Sequence, residues 1–329
     1  VLCLYVAALL LYVLPAVEAQ PSEPARIVIA DSRQPVIGLL YVAQNLGYFR
    51  DEKLDIAYQR YETGREGVAA IAAKGADVAF ATETPIVAYT AKGTDLVILA
   101  TVGTTERNFG IVATLASGIK SAKDLSSKSV GMTFGTNAEF FLDRFLVFSG
   151  VSPGKVKRVN YTPPQLVEAV SQGKVDAGVF WQPYLGRAIK AAEGRPAVFA
   201  PRNLYSWAFH LTTTREYATS HEQEMTRLLR AIVRAERHCQ SQMPACVELI
   251  SKELAMPAVE MKVMAEDMKL GVSLDQSLLF AIEDQVRWMK RRGENISDRA
   301  SQSLEYLFTA PLRFVQPDAV QVVETERPA

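Results

Sequence analysis

Histidine is scarce: only His210, His221 and His238 occur among 329 residues. That is too little for a His-rich metal site, and neither a metal nor another cofactor is expected. Charge of one sign is lacking too, since 36 Lys and Arg offset 36 Asp and Glu and no basic run breaks the balance. A nucleic acid or an anionic membrane surface would gain nothing from such a chain, so neither is expected as a partner. There is no GxSxG elbow, P-loop or GxGxxG, and no His beside a plausible nucleophile. These absences argue against an enzyme. Beyond residue 17 no stretch is long and apolar enough to span a bilayer.

What is present is core-forming material. Apolar residues make up 49% of the chain, enough at this length for one large domain or two of ordinary size. Residues 1–17 are apolar and uncharged, and Val17-Glu18-Ala19 precedes a polar, Pro-containing stretch. This reads as a secretory signal peptide, 1–19, entered partway and cleaved after Ala19; the alternative is an uncleaved anchor. Cys239 and Cys246 then remain, either joined in a disulfide or as two buried free thiols. Met243-Pro244 between them should break the helix and turn the chain back.

The pattern alternates strand and helix. Strands are expected at 26–30, 54–58, 77–81 and 96–101, with helices at 36–46, 64–74 and 85–92 between them. It restarts with strands at 109–114, 129–134, 156–161 and 175–180, and helices at 136–149 and 163–172; 121–125 is a short helical turn. Residues 215–292 read as almost entirely helical. A weak repeat relates 71–80 to 170–180: a helix end, a Gly cap, an Asp and a buried strand, followed by Thr82-Glu83-Thr84-Pro85 in one case and Trp181-Gln182-Pro183 in the other. The implied fold is α/β, mostly parallel.

In open α/β sheets ligands sit beyond the strand C-termini, where helix N-termini offer free N–H groups and partial positive charge. Four such turns stand out: Gln34-Pro35, Thr82 to Pro85, Gly135-Thr136-Asn137, and Trp181. Gly135 allows close backbone approach, Thr136 and Asn137 add donors, and Trp181 can cover an apolar part of a ligand. Glu83 reads as an acceptor for an amine or hydroxyl, or as a residue that merely suits a helix start. Thr82 and Thr84 read equally as helix caps. Arg65, Glu66 and Arg107 read as ordinary loop and helix-start residues, Tyr184 as packing, His210 as structural, and Tyr205 and Trp207 as lining a cleft or hinge.

Several segments in order carry a family resemblance: Gly47-Tyr48-Phe49, GADVAFATETP (75–85), Ser121 to Leu125, VGMTFGTNAEFFL (130–142), VDAGVFWQPYL (175–185) and APLRFVQPDAV (310–320). Together they resemble the periplasmic solute-binding proteins of ABC importers, in the nitrate/sulfonate/taurine-binding group. The resemblance implies a type II periplasmic-binding fold: two α/β lobes around a ligand cleft with a two-strand hinge. Lobe 1 would comprise 26–112 and 210–320 and lobe 2 113–209, with a tail at 321–329 and crossings near 110–114 and 208–213. The ligand would meet Gln34, Thr82, Glu83, Thr84, Gly135, Thr136, Asn137 and Trp181. The implied function is that of a monomeric periplasmic binder that captures a small anionic or zwitterionic solute, sulfonate- or taurine-like, and delivers it to the permease subunits. Glu139, where the family often has another residue, would oppose a simple anion such as nitrate. That leaves zwitterionic sulfonates, or neutral heteroaromatics such as thiamine-precursor pyrimidines, as ligands. A sensory ligand-binding role is a further alternative.

Overall fold

The computed structural model describes residues 23–192, 194–202 and 204–323. The expected signal peptide and the end of the expected tail lie outside these residues. In chain order the strands are β1 (Ala25–Asp31), β2 (Leu54–Arg60), β3 (Val78–Ala81), β4 (Leu96–Thr105), β5 (Phe109–Ala113), β6 (Ser129–Met132), β7 (Lys157–Asn160), β8 (Ala177–Trp181), β9 (Ala197–Phe199), β10 (Trp207–Thr214) and β11 (Lys269–Ser273). The helices are α1 (Gly38–Asn45), α2 (Tyr48–Asp51), α3 (Gly64–Ala72), α4 (Glu83–Ala91), α5 (Asn137–Phe148), α6 (Pro163–Ser171), α7 (Tyr184–Ala191), α8 (Arg215–Ser220), α9 (Glu222–Glu253), α10 (Ala258–Ala265), α11 (Gln276–Arg291) and α12 (Ala310–Val315).

These strands form two sheets, ordered β11-β4-β10-β3-β1-β2 and β7-β6-β8-β5-β9. The sheets share one plan. A parallel trio, β2-β1-β3 or β7-β6-β8, is followed by an antiparallel strand, β10 or β5. In each sheet that antiparallel strand is the first one laid down after the chain changes sheets. The result is the two-lobed α/β architecture expected from the sequence. The central strands β3 and β8 are buried along their whole length, as strands covered on both faces must be.

The sequence repeat is a structural repeat. Asp77 and Asp176 precede β3 and β8, and each carboxylate accepts the backbone N–H of the neighbouring parallel strand. Asp77 Oδ2 lies 2.7 Å from Val28 N, and Asp176 Oδ2 lies 2.8 Å from Ser129 N. Each Asp N–H in turn donates to the carbonyl of that same residue, at 2.9 and 3.0 Å. One short motif thus fixes strand register in both lobes.

The chain leaves the first sheet after Thr105 and enters the second at Phe109. It returns between β9 and β10. Both changes fall a few residues before the expected crossings: β5 lies wholly in the second sheet, and Trp207 to Phe209 already pair with β4 in the first. The outward crossing is tied down by Asp267, whose carboxylate accepts from Thr105 Oγ1, Glu106 N and Arg107 N, each at 2.6 Å.

One expectation needs correction. The region 215–292 is not all helix, because Lys269–Ser273 forms β11 and extends the first sheet by pairing with β4. The helix break expected at Met243-Pro244 is present: α9 is two helical segments joined at Gln242, whose φ/ψ of −134°/40° leaves the helical region. The kink lets Cys239 and Cys246 approach to a Cα–Cα distance of 5.7 Å and form a disulfide. Seven residues of straight helix would rise about 10 Å. α9 packs closely along α1 at Gly38: a Cβ there would stand 2.3 Å from Ile250 Cδ1, so that side chain would have to move.

Candidate functional site

Because β1, β2 and β3 are parallel, their C-termini share one edge, and the C-termini of β6 and β8 face them from the second sheet. The segments that follow line a single cavity of about 30 Å³ between the lobes. From lobe 1 come Gln34, Glu62, Thr63, Gly64, Arg65, Thr82 and Pro85, together with Trp207 and Phe209 at the start of β10. Thr136, Asn137, Trp181 and Phe109 come from lobe 2. Three helices start here: α3, α4 and α5.

Their caps differ in a way that bears on the site. Thr63 and Glu66 form a reciprocal capping box on α3, and Thr136 Oγ1 accepts from Ala138 N on α5. Thr82, at the start of α4, makes no capping hydrogen bond. Its hydroxyl reaches across the cleft to Asn137 Oδ1 instead. The first-turn N–H groups of a helix have no intrahelical partner, so these starts present donors and partial positive charge to the cavity.

The walls are aromatic. Trp207 lies 5.3 Å from Phe109 and 4.9 Å from Phe209 between ring centroids, and Trp181 lies 6.2 Å from Phe109. The indole N–H groups of Trp181 and Trp207 are both buried without an acceptor among the described residues. Gln34 Oε1 is buried too and lacks a donor among the described residues, on an amide that can present either its oxygen or its nitrogen by flipping. Buried polar groups in this state are costly unless something else satisfies them.

Glu83 and Thr84 lie behind the cavity rather than on it. Glu83 Oε2 accepts from Tyr205 OH at 2.8 Å and from Asn137 Nδ2 at 3.3 Å, and its Oε1 stands 3.3 Å from His210 Nε2. His210 Nδ1 in turn meets Thr101 Oγ1 at 3.0 Å. Burial, and then the neighbouring Glu83 carboxylate, push the Tyr205 hydroxyl well above the ordinary phenol range, so it stays a donor. Glu83 is thus occupied by protein partners, one of which belongs to lobe 2. Thr84 Oγ1 donates to Gln285 Oε1 of α11 at 2.9 Å. Asn137 is the residue most engaged across the cleft, touching Thr82, Glu83 and Tyr205 together.

Gly135 sits at φ +70°, and a Cβ there would stand 2.7 Å from Arg65 Nε. It shapes the cavity through the side chain it admits, without lining it. Arg65 makes no ion pair among the described residues and leaves a positive charge at the cavity mouth. In sequence Arg65 looks like a routine helix opener. The available signal was Thr63-x-x-Glu66, a capping box that sets Arg65 in a first turn beyond a strand end. Glu139, expected to repel an anion, points away from the cavity: its carboxylate accepts from Gly135 N at 2.7 Å and from Arg292 Nη2 at 3.0 Å. Among the described residues no group of three or more His, Cys, Asp or Glu is placed to hold a metal ion.

Residues 34–242 match the model of the NMT1/THI5-like family. A Bacillus subtilis (strain 168) protein, provisionally named an aliphatic sulfonates-binding protein, is 26% identical over 215 residues, which are 64% of this chain and 63% of that one. The match therefore spans less than two thirds of that relative. An Escherichia coli (strain K12) protein of the same provisional name is 24% identical over 240 residues, 73% of this chain and 75% of its own. Among solved structures, the alkanesulfonate-binding protein SsuA from Xanthomonas axonopodis pv. citri, bound to MOPS, is similar with a TM-score of 0.75 and 18% identity, covering 88% of this chain and 100% of that one. At that identity the likeness speaks for the fold. With the family model matching well over half of the chain, the chain belongs to the NMT1/THI5-like family.

Proposed function

We propose that this protein is the periplasmic binding component of an ABC importer, closing its two lobes on a small organic anion of the sulfonate class and delivering it to the permease subunits. The carrying observation is the lining of the cavity: Trp181 and Trp207, whose buried indole N–H groups have no acceptor among the described residues, beside three helix N-termini and with Arg65 at the mouth. A sulfonate offers three acceptor oxygens and a delocalised negative charge, which this set suits. The aromatic walls suit an attached apolar body better than they suit bare nitrate. Glu62 at the rim is the carboxylate that lines the cavity, so the ammonium of a taurine-like zwitterion would have to sit there. A cavity of about 30 Å³ is too small to admit such a solute as it stands, so the lobes must separate for loading. Differential affinity for the closed form then drives closure.

The test is thermal unfolding of the mature protein with 1-butanesulfonate, taurine, nitrate, bicarbonate and an aminopyrimidine. A ligand at a hundred times its Kd stabilises by about 2.7 kcal/mol. 1-Butanesulfonate should do so, and Trp181→Phe and Trp207→Phe, which remove only an N–H with part of a ring, should each weaken it. Stabilisation by the aminopyrimidine alone would transfer the site to neutral heteroaromatics and refute the sulfonate assignment.

A further inference from the structure

Outside the ligand cavity, the two lobes meet a second time. One side of α5 in lobe 2 carries Glu139, Phe140, Asp143 and Arg144, two adjacent pairs set one helical turn apart. Against it lies the C-terminal half of α11, which belongs to lobe 1 through its packing on α4. Trp288 Nε1 donates to Asp143 Oδ2 at 2.8 Å in a buried contact. Arg292 Nη2 donates to Glu139 Oε1 at 3.0 Å, and its Nη1 stands 3.8 Å from Asp143 Oδ2. Arg144 Nη1 donates to Asp284 Oδ2 at 3.1 Å in the reverse sense. The rings interleave as well: Phe140 meets Trp288 edge-on at 5.4 Å, and the Arg292 guanidinium lies 4.8 Å over the Trp288 ring.

Two features make this more than incidental packing. Glu139 and Asp143 are like charges one turn apart, and both are buried. Within lobe 2 the cation bonded to Asp143 is Arg158, while the side-chain partner of Glu139 is Arg292 of lobe 1. Separating the lobes therefore strips a charge partner from each carboxylate at once. In addition, α5 begins at Thr136 and Asn137 in the ligand cavity, so any tilt of α5 that opens the cavity must act on this face. The charged half of the contact is lost by water competition and the aromatic half by exposure.

We propose that the α5–α11 contact, centred on Trp288 and Arg292, is a closure clasp that holds a measurable closed population without solute, and thereby sets solute affinity from outside the binding site. The inference concerns the same two-lobed binder proposed above, but its primary test needs no solute. Small-angle X-ray scattering would be recorded on the protein without added ligand for wild type, Trp288→Phe, Arg292→Ala and the double variant. Arg291→Ala is the control, since Arg291 adjoins the same hollow and no ion pair of its own is seen among the described residues. The expected result is a larger radius of gyration in Arg292→Ala and larger still in the double variant, with Trp288→Phe intermediate and Arg291→Ala unchanged. Cooperative thermal unfolding of each variant shows that expansion is lobe opening rather than partial unfolding; Arg144→Gln, a milder lesion of the same contact, should follow the same trend. Superimposable curves for wild type and the double variant overturn the clasp. Expansion in Arg291→Ala equal to that in Arg292→Ala overturns it too. A second arm measures 1-butanesulfonate by calorimetry, where Arg292→Ala should raise Kd about tenfold or more, the worth of a charged hydrogen bond present only when closed. If 1-butanesulfonate fails to bind wild type, the sulfonate assignment falls and the scattering still decides the clasp.

Discussion

Replacing Gly135 by alanine separates folding from closure, because it perturbs the two through different atoms. The left-handed φ of +70° is strained for any residue with a Cβ, by roughly 1–2 kcal/mol. That strain is local to lobe 2 and exists whether the lobes are open or closed, so it lowers global stability, by roughly 1.5–3 °C in midpoint for a chain of this size. The second effect exists only when the lobes are together. The new Cβ would stand 2.7 Å from Arg65 Nε and 2.8 Å from Arg65 Cδ, contacts that cannot both persist. Arg65 must leave its rotamer, at about 0.5–1.5 kcal/mol, and take its guanidinium from the cavity mouth, forfeiting about 1.5–3 kcal/mol of charged hydrogen bonding to an anion. The combined loss of at least about 2 kcal/mol corresponds to a Kd raised about 30-fold or more. Calorimetry with 1-butanesulfonate measures this, and thermal unfolding measures the first effect. In an Arg65→Ala background, Gly135→Ala should still lower the midpoint while leaving Kd where Arg65→Ala had put it. An equal affinity loss in both backgrounds would refute the argument, as would an unchanged Kd in the single variant.

Other outcomes follow from single contacts. Removing the disulfide by Cys239→Ala with Cys246→Ala frees a loop with a sequence separation of 7 residues, and should cost about 2.4 kcal/mol in denaturant unfolding with no change in Kd, since α9 does not line the cavity. Burial alone would raise the Asp267 carboxyl, but hydrogen bonds from Thr105, Arg107 N and Glu106 N outweigh it and hold the group below the ordinary range. A folded value below the unfolded one, about 3.9, stabilises fully above that value and is lost as pH falls through the folded one. Unfolding midpoints should therefore drop on acidification below about pH 4, and Asp267→Asn should remove its share of that slope while loosening the outward crossing. Thr84→Val leaves buried Gln285 unpartnered and should destabilise by about 1–3 kcal/mol with unchanged Kd; a large affinity loss would return Thr84 to the ligand site.

The recurrence of a Gly cap, an Asp and a buried strand at 71–80 and 170–180 was visible in one dimension because strand register needs the same local device in each lobe. Thr82, Thr136, Asn137 and Trp181 were identifiable for a related reason: parallel strands end on one edge, so whatever follows them gathers there. Arg65 was passed over because its own sequence neighbourhood explains it fully as a helix start; its exposure to the cavity comes from Gly135, seventy residues away. Glu83 shows the opposite case. Its position after β3 suggested a ligand acceptor, yet His210, Tyr205 and Asn137 arrive from three separate segments and occupy it. β11 escaped because KLGVS is short and lies between helices, and only the open edge of β4 makes it a strand.

Composition, periodicity and turn chemistry by themselves determined that this chain is a two-block α/β protein whose strand C-termini feed helix starts and whose sequence carries no GxSxG, P-loop or GxGxxG motif, because those features depend on residues close in sequence. Which lobe the C-terminal helices join, where the chain changes sheets, and that α11 lies against α5 beyond the cavity were decided by tertiary structure. Each depends on surfaces that meet only after the chain has crossed between sheets and returned, and burial against a distant partner is the one energy term that local pattern does not encode.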